Sequence, residues 1–280
     1  MEIINPTLKN ILHLLEEKRG FDFSGYRSSM LERRIQKRMY STSCKNLSDY
    51  LEYLNYNPDE SDHLINVFTI NVSRFFRNSL TWEYIRKILL PDLYYEKIKA
   101  NDNSLRIWSA GCSYGEEPYS LAIIINELTS MEEDSLNLNI FATDLDKKAI
   151  KLASEGIYGF DSVKRVKYGI YKKYFTRDAE NYVLDQEIKK KVQFSFFDLL
   201  DKKHMVPPES IFGGFDIVLC RNVLIYFDLG HQKIIFNKLY KSLNPNGYLI
   251  LGESEVPGDE FKNKLQRDNS CCKIYRKVGH

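Results

Sequence analysis

Apolar side chains recur at helical spacing through the first part of the chain. Leu31, Ile35 and Met39 fall at positions i, i+4 and i+8 of one stripe, and similar stripes occur at residues 11–15 and 47–54. The last of these stripes is interrupted at Asn57-Pro58, where a helix is expected to end. The spacing therefore predicts an all-helical N-terminal domain over residues 1–90.

From about residue 104, short apolar runs alternate with helical segments. The pattern predicts strands at 105–111, 139–143, 192–197, 215–220 and 248–251, and helices at 118–128, 147–154 and 231–243. Residues 244–247 (Asn-Pro-Asn-Gly) are predicted as a turn, and residues 271–276 as a final edge strand. This alternation is typical of an α/β domain with helices on both faces of a parallel sheet. Residues 157–191, rich in Tyr and Lys, break the alternation and are predicted to be an insertion.

The composition is that of a globular protein, and it limits the function classes. Of the 280 residues, 43% are hydrophobic and 28% are charged, and the formal net charge of +2 gives no overall field that favours nucleic acid. The five cysteines form no CxxC pair or metal-binding spacing, so no metal site is predicted, and their odd number indicates a reducing cytosol. No apolar run approaches the ~20 residues of a membrane span. We therefore expect a cytoplasmic protein.

Polar residues follow the first predicted strand, at the edge where ligands bind in open α/β sheets. Gly111-Cys-Ser-Tyr-Gly115 leads into Glu116 and Glu117 at the start of a helix. The segment matches neither the GxGxxG fingerprint nor a P-loop. Two acids at a helix start disfavour a phosphate and suit a cationic ligand, such as a sulfonium with an amino group. The alternative is that the glutamates only complement the helix dipole.

Three further strand ends carry candidate residues. Asp144 ends the second strand, where an acid can hold the hydroxyls of a nucleoside ribose, whereas the nearby Asp146 has the alternative role of a helix N-cap. Asp198 follows the third strand, placed either for an adenine edge or as a simple loop aspartate. Arg221 and Asn222 follow the fourth strand, as the floor of a site, with a salt-bridge role for Arg221 as the alternative.

One more candidate segment, residues 71–77 (Asn-Val-Ser-Arg-Phe-Phe-Arg), joins the helical region to the sheet domain. Its Asn, Ser and Arg residues, spaced through an otherwise aromatic stretch, are suited to cover a ligand from above. The alternative is a helix boundary capped by Ser73. With the strand ends, this segment predicts a pocket for a cationic ligand such as a sulfonium.

Five segments resemble the CheR-type chemotaxis receptor glutamate methyltransferases, and they occur in the order of that family. They are NVSRFFRN at 71–78, RIWSAGCSYGEEPYS at 106–120, FATDLDKKAIKLASEGIY at 141–158, FDIVLCRNVLIYFD at 215–228 and LNPNGYLILGESE at 243–255. The resemblance implies a Rossmann-like class I methyltransferase domain over residues 91–280. It also implies the N-terminal helical domain over residues 1–90 and a small β subdomain inserted at about 157–191.

The same resemblance implies S-adenosyl-L-methionine as the cofactor, S-adenosylhomocysteine as the product and receptor glutamates as the substrate. It implies cofactor contacts at nine positions: Asn71, Ser73, Arg77, Glu117, Asp144, Asp198, Leu199, Cys220 and Arg221. It also implies that Arg77 orients the substrate carboxylate and that Tyr226 lies beside the transferred methyl group. A glutamate carboxylate, with a pKa of ~4.3, is already ionised at neutral pH, so the reaction requires no general base.

Departures from the family pattern are few. Ser73 replaces the commoner threonine but keeps the hydroxyl, and Tyr114 and Glu253 replace a usual threonine and histidine. The predicted insertion is short between Phe175 and Val192. Members that tether to a receptor C-terminal peptide have a longer loop there, so tethering is not expected here. We expect the protein to be a monomer.

The predicted helix that contains Leu31, Ile35 and Met39 also carries a candidate docking surface for the substrate. Five cations occur close together, with only Glu32 among them: Arg27, Arg33, Arg34, Lys37 and Arg38. Helical geometry places Arg27, Arg34 and Arg38 within about 40° of one another. Arg33 and Lys37 form an adjacent row. Because receptor methylation helices are acidic, this face is expected to steer them to the enzyme. The alternative is a solvated helix face.

Two other functions fit parts of the pattern. A nucleic-acid methyltransferase would share the cofactor fold, but it predicts an Asn/Asp-Pro-Pro-Tyr/Phe run after the fourth strand, where this chain has Arg221-Asn-Val-Leu. A sensor or adaptor of a chemosensory array would bind S-adenosylmethionine without turnover. Retention of Arg77 and Tyr226 disfavours that second alternative.

Overall fold

The computed structural model describes residues 5–69, 71–129, 136–210 and 214–278. The chain forms two compact units, the first made of residues 1–70 and 225–234, and the second of residues 71–224 and 235–280. The division thus falls at residue 70, whereas the helical pattern suggested a boundary near residue 90. The reason is that residues 79–99 are helical but bury Trp82, Ile85 and Leu89 in the core of the second unit.

Four helices make up most of the first unit: α1 (Pro6–Arg19), α2 (Ser28–Thr42), α3 (Leu47–Tyr56) and α4 (Pro58–Phe68). Their ends follow local sequence signals. The Asn5 side chain accepts a hydrogen bond from the Thr7 N–H at 2.9 Å, and Gly20 ends α1 in the left-handed conformation. Pro58 ends the preceding pattern and begins α4. The predicted helical character of this region is confirmed, and its apolar stripes meet in one core around Phe23 and Phe68.

A seven-stranded sheet forms the centre of the second unit, in the order β6-β2-β1-β7-β8-β10-β9. The first five strands in that order are parallel, and β10 and β9 are antiparallel additions. The strands are β1 (Ser104–Ala110), β2 (Asn137–Asp144), β6 (Val192–Phe196), β7 (Phe215–Cys220), β8 (Leu243–Leu251), β9 (Leu265–Arg267) and β10 (Ile274–Lys277). The predicted mainly parallel α/β architecture is confirmed.

The helices of the second unit follow the predicted alternation with strands. They are α5 (Ser79–Tyr84), a π-helical turn at Ile85–Leu89, α6 (Leu90–Lys99), α7 (Glu116–Thr129) and α8 (Lys147–Glu155). Helix α12 (Leu229–Ser242) begins in the first unit and ends in the second. Within the described residues, no helix has the length and apolar character needed to cross a membrane.

Residues 157–191 form a small subdomain of their own, as the broken alternation indicated. Three antiparallel strands pair in the order β3-β5-β4: β3 (Ile157–Tyr158), β4 (Phe175–Asp178) and β5 (Asn181–Leu184). Three short helices accompany them: α9 (Phe160–Val163), α10 (Tyr168–Tyr174) and α11 (Gln186–Lys189). Its buried aromatic residues join the core of the second unit rather than forming a separate one.

The predictions near the chain end were partly correct. Residues 244–247, predicted as a turn, fall within the bounds of β8 but interrupt its pairing, because these four residues lie opposite the single residue Asp216 and Asn246 has a left-handed φ of 62°. The Asn244 side-chain amide donates to Asp216 at 3.0 Å. The prediction of β10 as an edge strand was wrong, because β9 pairs with its outer side. Strand β9 was missed since its one buried residue, Leu265, gives no alternating pattern.

Candidate active site

The order of the strands brings the predicted strand-end residues to one edge of the sheet. Strand β1 lies between β2 and β7 and is parallel to both, so Ala110, Asp144 and Cys220 end neighbouring strands on the same side. Ligands bind at this edge of open α/β sheets. The fold therefore gathers candidates that are separated by more than a hundred residues of sequence.

Glu117 and Arg221 form a largely buried ion pair at this edge, with side chains 12% and 3% exposed. An Arg221 Nη1 group donates to Glu117 Oε2 at 3.1 Å, and Ser109 Oγ donates to the other carboxylate oxygen at 2.9 Å. Arg221 Nη2 reaches further, to the backbone oxygen of Arg77 at 2.9 Å and to Asn78 Oδ1 at 3.1 Å. The salt-bridge role of Arg221 is confirmed. This arginine links the end of β7 both to α7 and to the segment 71–77, which we call the roof segment.

Burial controls the ionisation of the two acids. It raises the pKa of Glu117, and the Arg221 charge and the Ser109 hydroxyl act in the opposite direction without cancelling it. It also raises the pKa of Asp144, against hydrogen bonds from the N–H groups of Asp146 and Ser113. Both carboxylates are therefore poorly solvated and would be stabilised by a nearby positive charge.

Asp144 closes a hydrogen-bonded turn at the end of β2. Its two oxygens accept from Ser113 N at 2.8 Å and from Asp146 N at 2.9 Å. Asp146 caps α8, accepting from Lys148 N at 2.8 Å, so its predicted N-cap role is confirmed. The Asn71 amide donates to the second oxygen of Asp146 at 2.6 Å, which ties the roof segment to this strand end.

The loop after β1 needs its glycines for backbone geometry and close packing. Gly111 and Gly115 have φ angles of 79° and 87°, in the region that favours glycine. A Cβ on Gly111 would lie 2.4 Å from Val223 Cγ2, and one on Gly115 would lie 3.0 Å from Ala153 and Phe194. The glycines are thus explained by protein contacts, and the close approach of a ligand to this loop stays a prediction.

The roof segment is held from several sides within the second unit. Phe75 is buried against Tyr158 and Phe175 of the inserted subdomain, with ring centroids 4.8 and 5.0 Å apart. The alternative role of Ser73 as a helix cap is wrong, because α5 begins only at Ser79. Arg77 is partly buried and donates from Nη1 to the Val72 backbone oxygen at 2.9 Å.

Three other predicted contacts have structural surroundings that do not decide their role. Asp198 accepts from Leu200 N at 2.8 Å, as a loop aspartate does, and Leu199 is buried beside it. Cys220 is fully buried in β7, and burial raises the pKa of its thiol well above the ordinary value. Cofactor contacts at these positions stay predictions.

Tyr226 belongs to the first unit, in the segment that follows β7. Its ring is partly buried against the helical core, and its backbone oxygen accepts from Arg27 N at 2.9 Å. Burial lowers the pKa of the nearby Arg34, and the interaction with Tyr226 acts in the opposite direction without cancelling it. The tyrosine is thus anchored by the helical unit only six positions after Cys220.

The five cations of α2 and its N-terminal flank are not equivalent. Arg38 makes a two-pronged ion pair with the buried Glu60, at 2.8 and 2.6 Å, and Arg34 donates to the backbone oxygen of Val67. Arg33 and Lys37 are exposed. Arg27 is also exposed, although its Nε donates to the Phe227 backbone oxygen at 3.0 Å.

Two further acids lie near the strand ends: Glu116, predicted only as part of the acidic helix start, and Glu255, for which no role was predicted. Glu116 is buried, its Oε1 accepts from Ser162 Oγ at 3.0 Å, and its Oε2 has no hydrogen-bond partner among the described residues. Glu255 is buried and accepts from four backbone N–H groups. Neither arrangement could be predicted from a pattern of side chains in the sequence. Glu116 Oε2 lacks a hydrogen-bond partner among the described residues, and Glu255 binds backbone N–H groups.

The donor set at this edge fits a nucleoside cofactor with a positive charge. The carboxylates of Glu117 and Asp144 retain lone pairs beyond the hydrogen bonds described above. Buried polar atoms without partners among the described residues add capacity here: Ser113 Oγ, Glu116 Oε2 and Arg221 Nε. A Rossmann-like sheet with acids rather than phosphate-binding glycines at this edge defines a methyltransferase of the S-adenosylmethionine-dependent class.

Comparison with known proteins identifies the family within that class. The family model for the CheR methyltransferase SAM-binding domain matches residues 71–271, and that for the CheR methyltransferase all-alpha domain matches residues 6–69. The chain therefore belongs to the CheR methyltransferase family, and its cofactor is S-adenosylmethionine. The resemblance drawn from the five motifs is confirmed.

Three curated relatives show how far the similarity extends. The chemotaxis protein methyltransferase of Borreliella burgdorferi is 28% identical over 91% of this chain and 90% of its own length. That of Salmonella typhimurium is 31% identical, over 88% of this chain and 82% of its own. The probable biofilm formation methyltransferase WspC of Pseudomonas aeruginosa is 31% identical over 87% of this chain, but only 55% of that protein is covered.

Proposed function

We propose that this methyltransferase esterifies glutamate side chains of methyl-accepting chemotaxis receptors, and so serves adaptation in chemotaxis. The observation that supports this most is the placement of Arg77. Its backbone oxygen is fixed by the buried Arg221, and its side chain uses one guanidinium nitrogen on the Val72 carbonyl. The remaining donors of its planar group suit a carboxylate. A carboxylate acceptor beside this arginine distinguishes the proposal from amine or nucleic-acid methylation.

For methyl transfer, the main task of the protein is to place the acceptor carboxylate in line with the methyl group of the cofactor. The cofactor, when bound, supplies an electrophilic methyl group on a sulfonium. Arg77 would orient the acceptor carboxylate, and it must not bind so tightly that the nucleophile is weakened. Tyr226 would line the path of transfer, and Glu117 and Asp144 would hold the cofactor. Correct placement of the reacting groups can contribute up to ~7–11 kcal/mol.

A dry site assists this reaction. An anionic carboxylate and a cationic sulfonium combine to give two neutral products, so charge is lost on the way to the transition state. Water stabilises the separated charges more than the transition state, and its exclusion therefore favours transfer. The buried state of Arg221, and of the adjoining Trp82 ring 5.4 Å from its guanidinium carbon, is consistent with such exclusion.

Receptor docking would use the exposed cations of helix α2 and its flank. Arg33 and Lys37 lie one turn apart on the exposed side of the helix, and Arg27 lies near its N-terminus. They suit the acidic cytoplasmic helices of receptors. We propose that the enzyme acts on them in the cytoplasm, as a monomer. Arg34 and Arg38 have structural partners and would contribute less to docking.

Methyl labelling tests the proposed activity. With S-adenosylmethionine labelled in the methyl group and receptor-containing membranes, label should enter receptor protein and leave as methanol under mild base, since carboxyl esters are base-labile. Base-stable label in nucleic acid would overturn the proposal. Binding of S-adenosylmethionine by calorimetry without label in any acceptor would instead support a sensor or adaptor.

Substitution of Arg77 tests its role within that activity. Arg77→Ala should reduce turnover by about 100-fold or more while changing the Kd of S-adenosylhomocysteine much less, because the lost contacts are mainly to the acceptor. Arg74→Ala, three positions away in the same segment, is the matched control. Near-normal turnover of the Arg77 variant would remove the arginine from the mechanism.

A further inference from the structure

The side chain of Glu255 occupies an unusual position just beyond strand β8. It is 4% exposed. Its Oε1 accepts from the N–H groups of Val223 and Leu224 at 2.9 and 2.8 Å, and its Oε2 accepts from Asn222 and Gly252 at 2.9 and 2.7 Å. One buried carboxylate thus binds three successive backbone amides of the turn after β7, and a fourth from its own loop.

This arrangement holds the turn at a left-handed residue. Asn222 has a φ angle of 62°, in the region that asparagine tolerates better than most residues other than glycine. A Cβ on Gly252 would lie 2.6 Å from Glu255 Oε2 and 2.8 Å from Asn222 N, so the two loops touch without room for a side chain. A carboxylate that accepts several backbone N–H groups makes strong, charge-assisted hydrogen bonds.

The fixed turn is in direct contact with the candidate cofactor site. It begins at Arg221, whose guanidinium binds Glu117 of α7 and the backbone oxygen of Arg77. It continues to Val223, which packs so closely on Gly111 that a methyl group there would lie 2.4 Å away. A shift of the turn would therefore move both the Arg221–Glu117 pair and the loop after β1.

We propose that Glu255 is a positioning residue for cofactor binding, acting through Arg221 and Val223 and without touching the cofactor. The proposal rests on the cofactor site placed above at Glu117 and Asp144. It assigns a role in this enzyme to a buried carboxylate that accepts four hydrogen bonds from backbone N–H groups. Loss of the carboxylate leaves the turn free to relax, and the site loses the geometry on which affinity depends.

The test compares Glu255→Gln with Glu253→Gln in the full-length protein. Glu253 is exposed two residues earlier, so the control makes the same chemical change outside the buried contact. Glutamine keeps the size of Glu255 but turns an NH₂ group toward backbone donors. We expect the Kd of S-adenosylhomocysteine, measured by calorimetry, to rise about 10- to 100-fold in the Glu255 variant, by analogy with the replacement of residues that orient metal ligands.

Hydrogen exchange provides a second measurement that is independent of activity. The peptide containing Asn222, Val223 and Leu224 should exchange faster in Glu255→Gln, whereas the Glu253 variant should match the wild type. Should Glu255→Gln fail to fold, Glu255→Asp is the second variant. Its side chain is one methylene shorter, so the carboxylate keeps its charge but lies further from the backbone amides. The Kd of S-adenosylhomocysteine is then expected to rise by a smaller factor.

An unchanged Kd in a folded Glu255 variant would overturn the proposal, even if the melting temperature fell, because the carboxylate would then only stabilise the fold. The outcome is separate from that of the receptor assay. Cofactor binding needs no receptor, so a weakened Kd combined with no receptor methylation would support the role of Glu255 and refute the proposed substrate.

Discussion

Arg38 distinguishes a docking cation from a structural one. Its guanidinium forms two hydrogen bonds to Glu60, which is 4% exposed and also accepts from the Tyr50 hydroxyl at 2.6 Å. Burial alone raises the pKa of Glu60, but the hydrogen bonds from Arg38 and Tyr50 outweigh it and leave the pKa lowered. Arg38 therefore compensates a charge buried inside the helical unit.

Replacing Arg38 by glutamine should strongly destabilise that unit. Removal of one member of a buried ion pair costs ~3–5 kcal/mol, because the partner remains as an uncompensated charge. The Arg38 side chain is 21% exposed, so water partly replaces it, and we expect the lower end of that range, ~3 kcal/mol. The free energy of unfolding in urea measures the effect at neutral pH.

Two variants and the pH provide the controls. Lys37→Gln, on the exposed side of the same helix, should change stability by less than ~0.5 kcal/mol. Adding Glu60→Gln to the Arg38 variant should recover part of the lost stability, since the buried charge is then gone.

The effect should also depend on pH. The lowered pKa of Glu60 contributes stability above the ordinary carboxyl pKa, and that stability is lost as the pH falls through the folded pKa. The difference in free energy of unfolding between wild type and Arg38→Gln should therefore become smaller in acid. A loss below ~1 kcal/mol together with a large rise in receptor KM would refute the structural role.

The remaining predictions concern docking and the loop after β1. Reversal of Arg33 and Lys37 to Glu should raise the receptor KM with the Kd of S-adenosylhomocysteine unchanged, and an unaltered KM would show that this surface does not bind receptors. Gly111→Ala should lower stability by ~1–3 kcal/mol and weaken cofactor binding, because its φ is 79° and the new methyl would overlap Val223. Gly169→Ala has nothing within 4 Å of the added carbon and is the matched control; equal effects of the two would contradict this account.

Much of the fold could be predicted because it depends on local patterns. Buried parallel strands such as β7 are continuous apolar runs, and they end at polar residues that mark the ligand edge. Helix N-caps could be predicted equally well, as Asp146 at the start of α8 shows. The edge strand β9 was not predictable, since it has three residues and only one of them is buried.

The roles of the charged residues could not be predicted in the same way, because they depend on partners distant in sequence. Arg38 reads as a surface cation on α2 until Glu60, twenty-two positions later, is placed beside it. The role of Glu255 is even harder to predict from the sequence, because its partners are backbone amides and every residue except proline has one. Arg221 was the exception, because a polar residue directly after a buried strand is conspicuous.

The ionisation of Glu117 and Asp144 leads to a last prediction about the cofactor. Burial raises the pKa of both acids, so the folded protein holds their protons more tightly than the unfolded chain does. Their contribution to stability therefore falls as the pH rises above the ordinary carboxyl range of ~4. A sulfonium ligand binds the ionised acids better than the neutral ones. The affinity for S-adenosylmethionine should therefore increase with pH through this window.

S-adenosylhomocysteine provides the matched ligand for this measurement, because it has the same nucleoside and amino-acid parts but lacks the sulfonium charge. Its Kd should change less with pH, so the ratio of the two Kd values, followed by calorimetry, isolates the interaction of the charge with the acids. Glu117→Gln should flatten the pH dependence of that ratio, since one of the two titrating groups is removed. Parallel curves for the two ligands in the wild-type protein would mean that the buried acids do not face the methyl donor's charge.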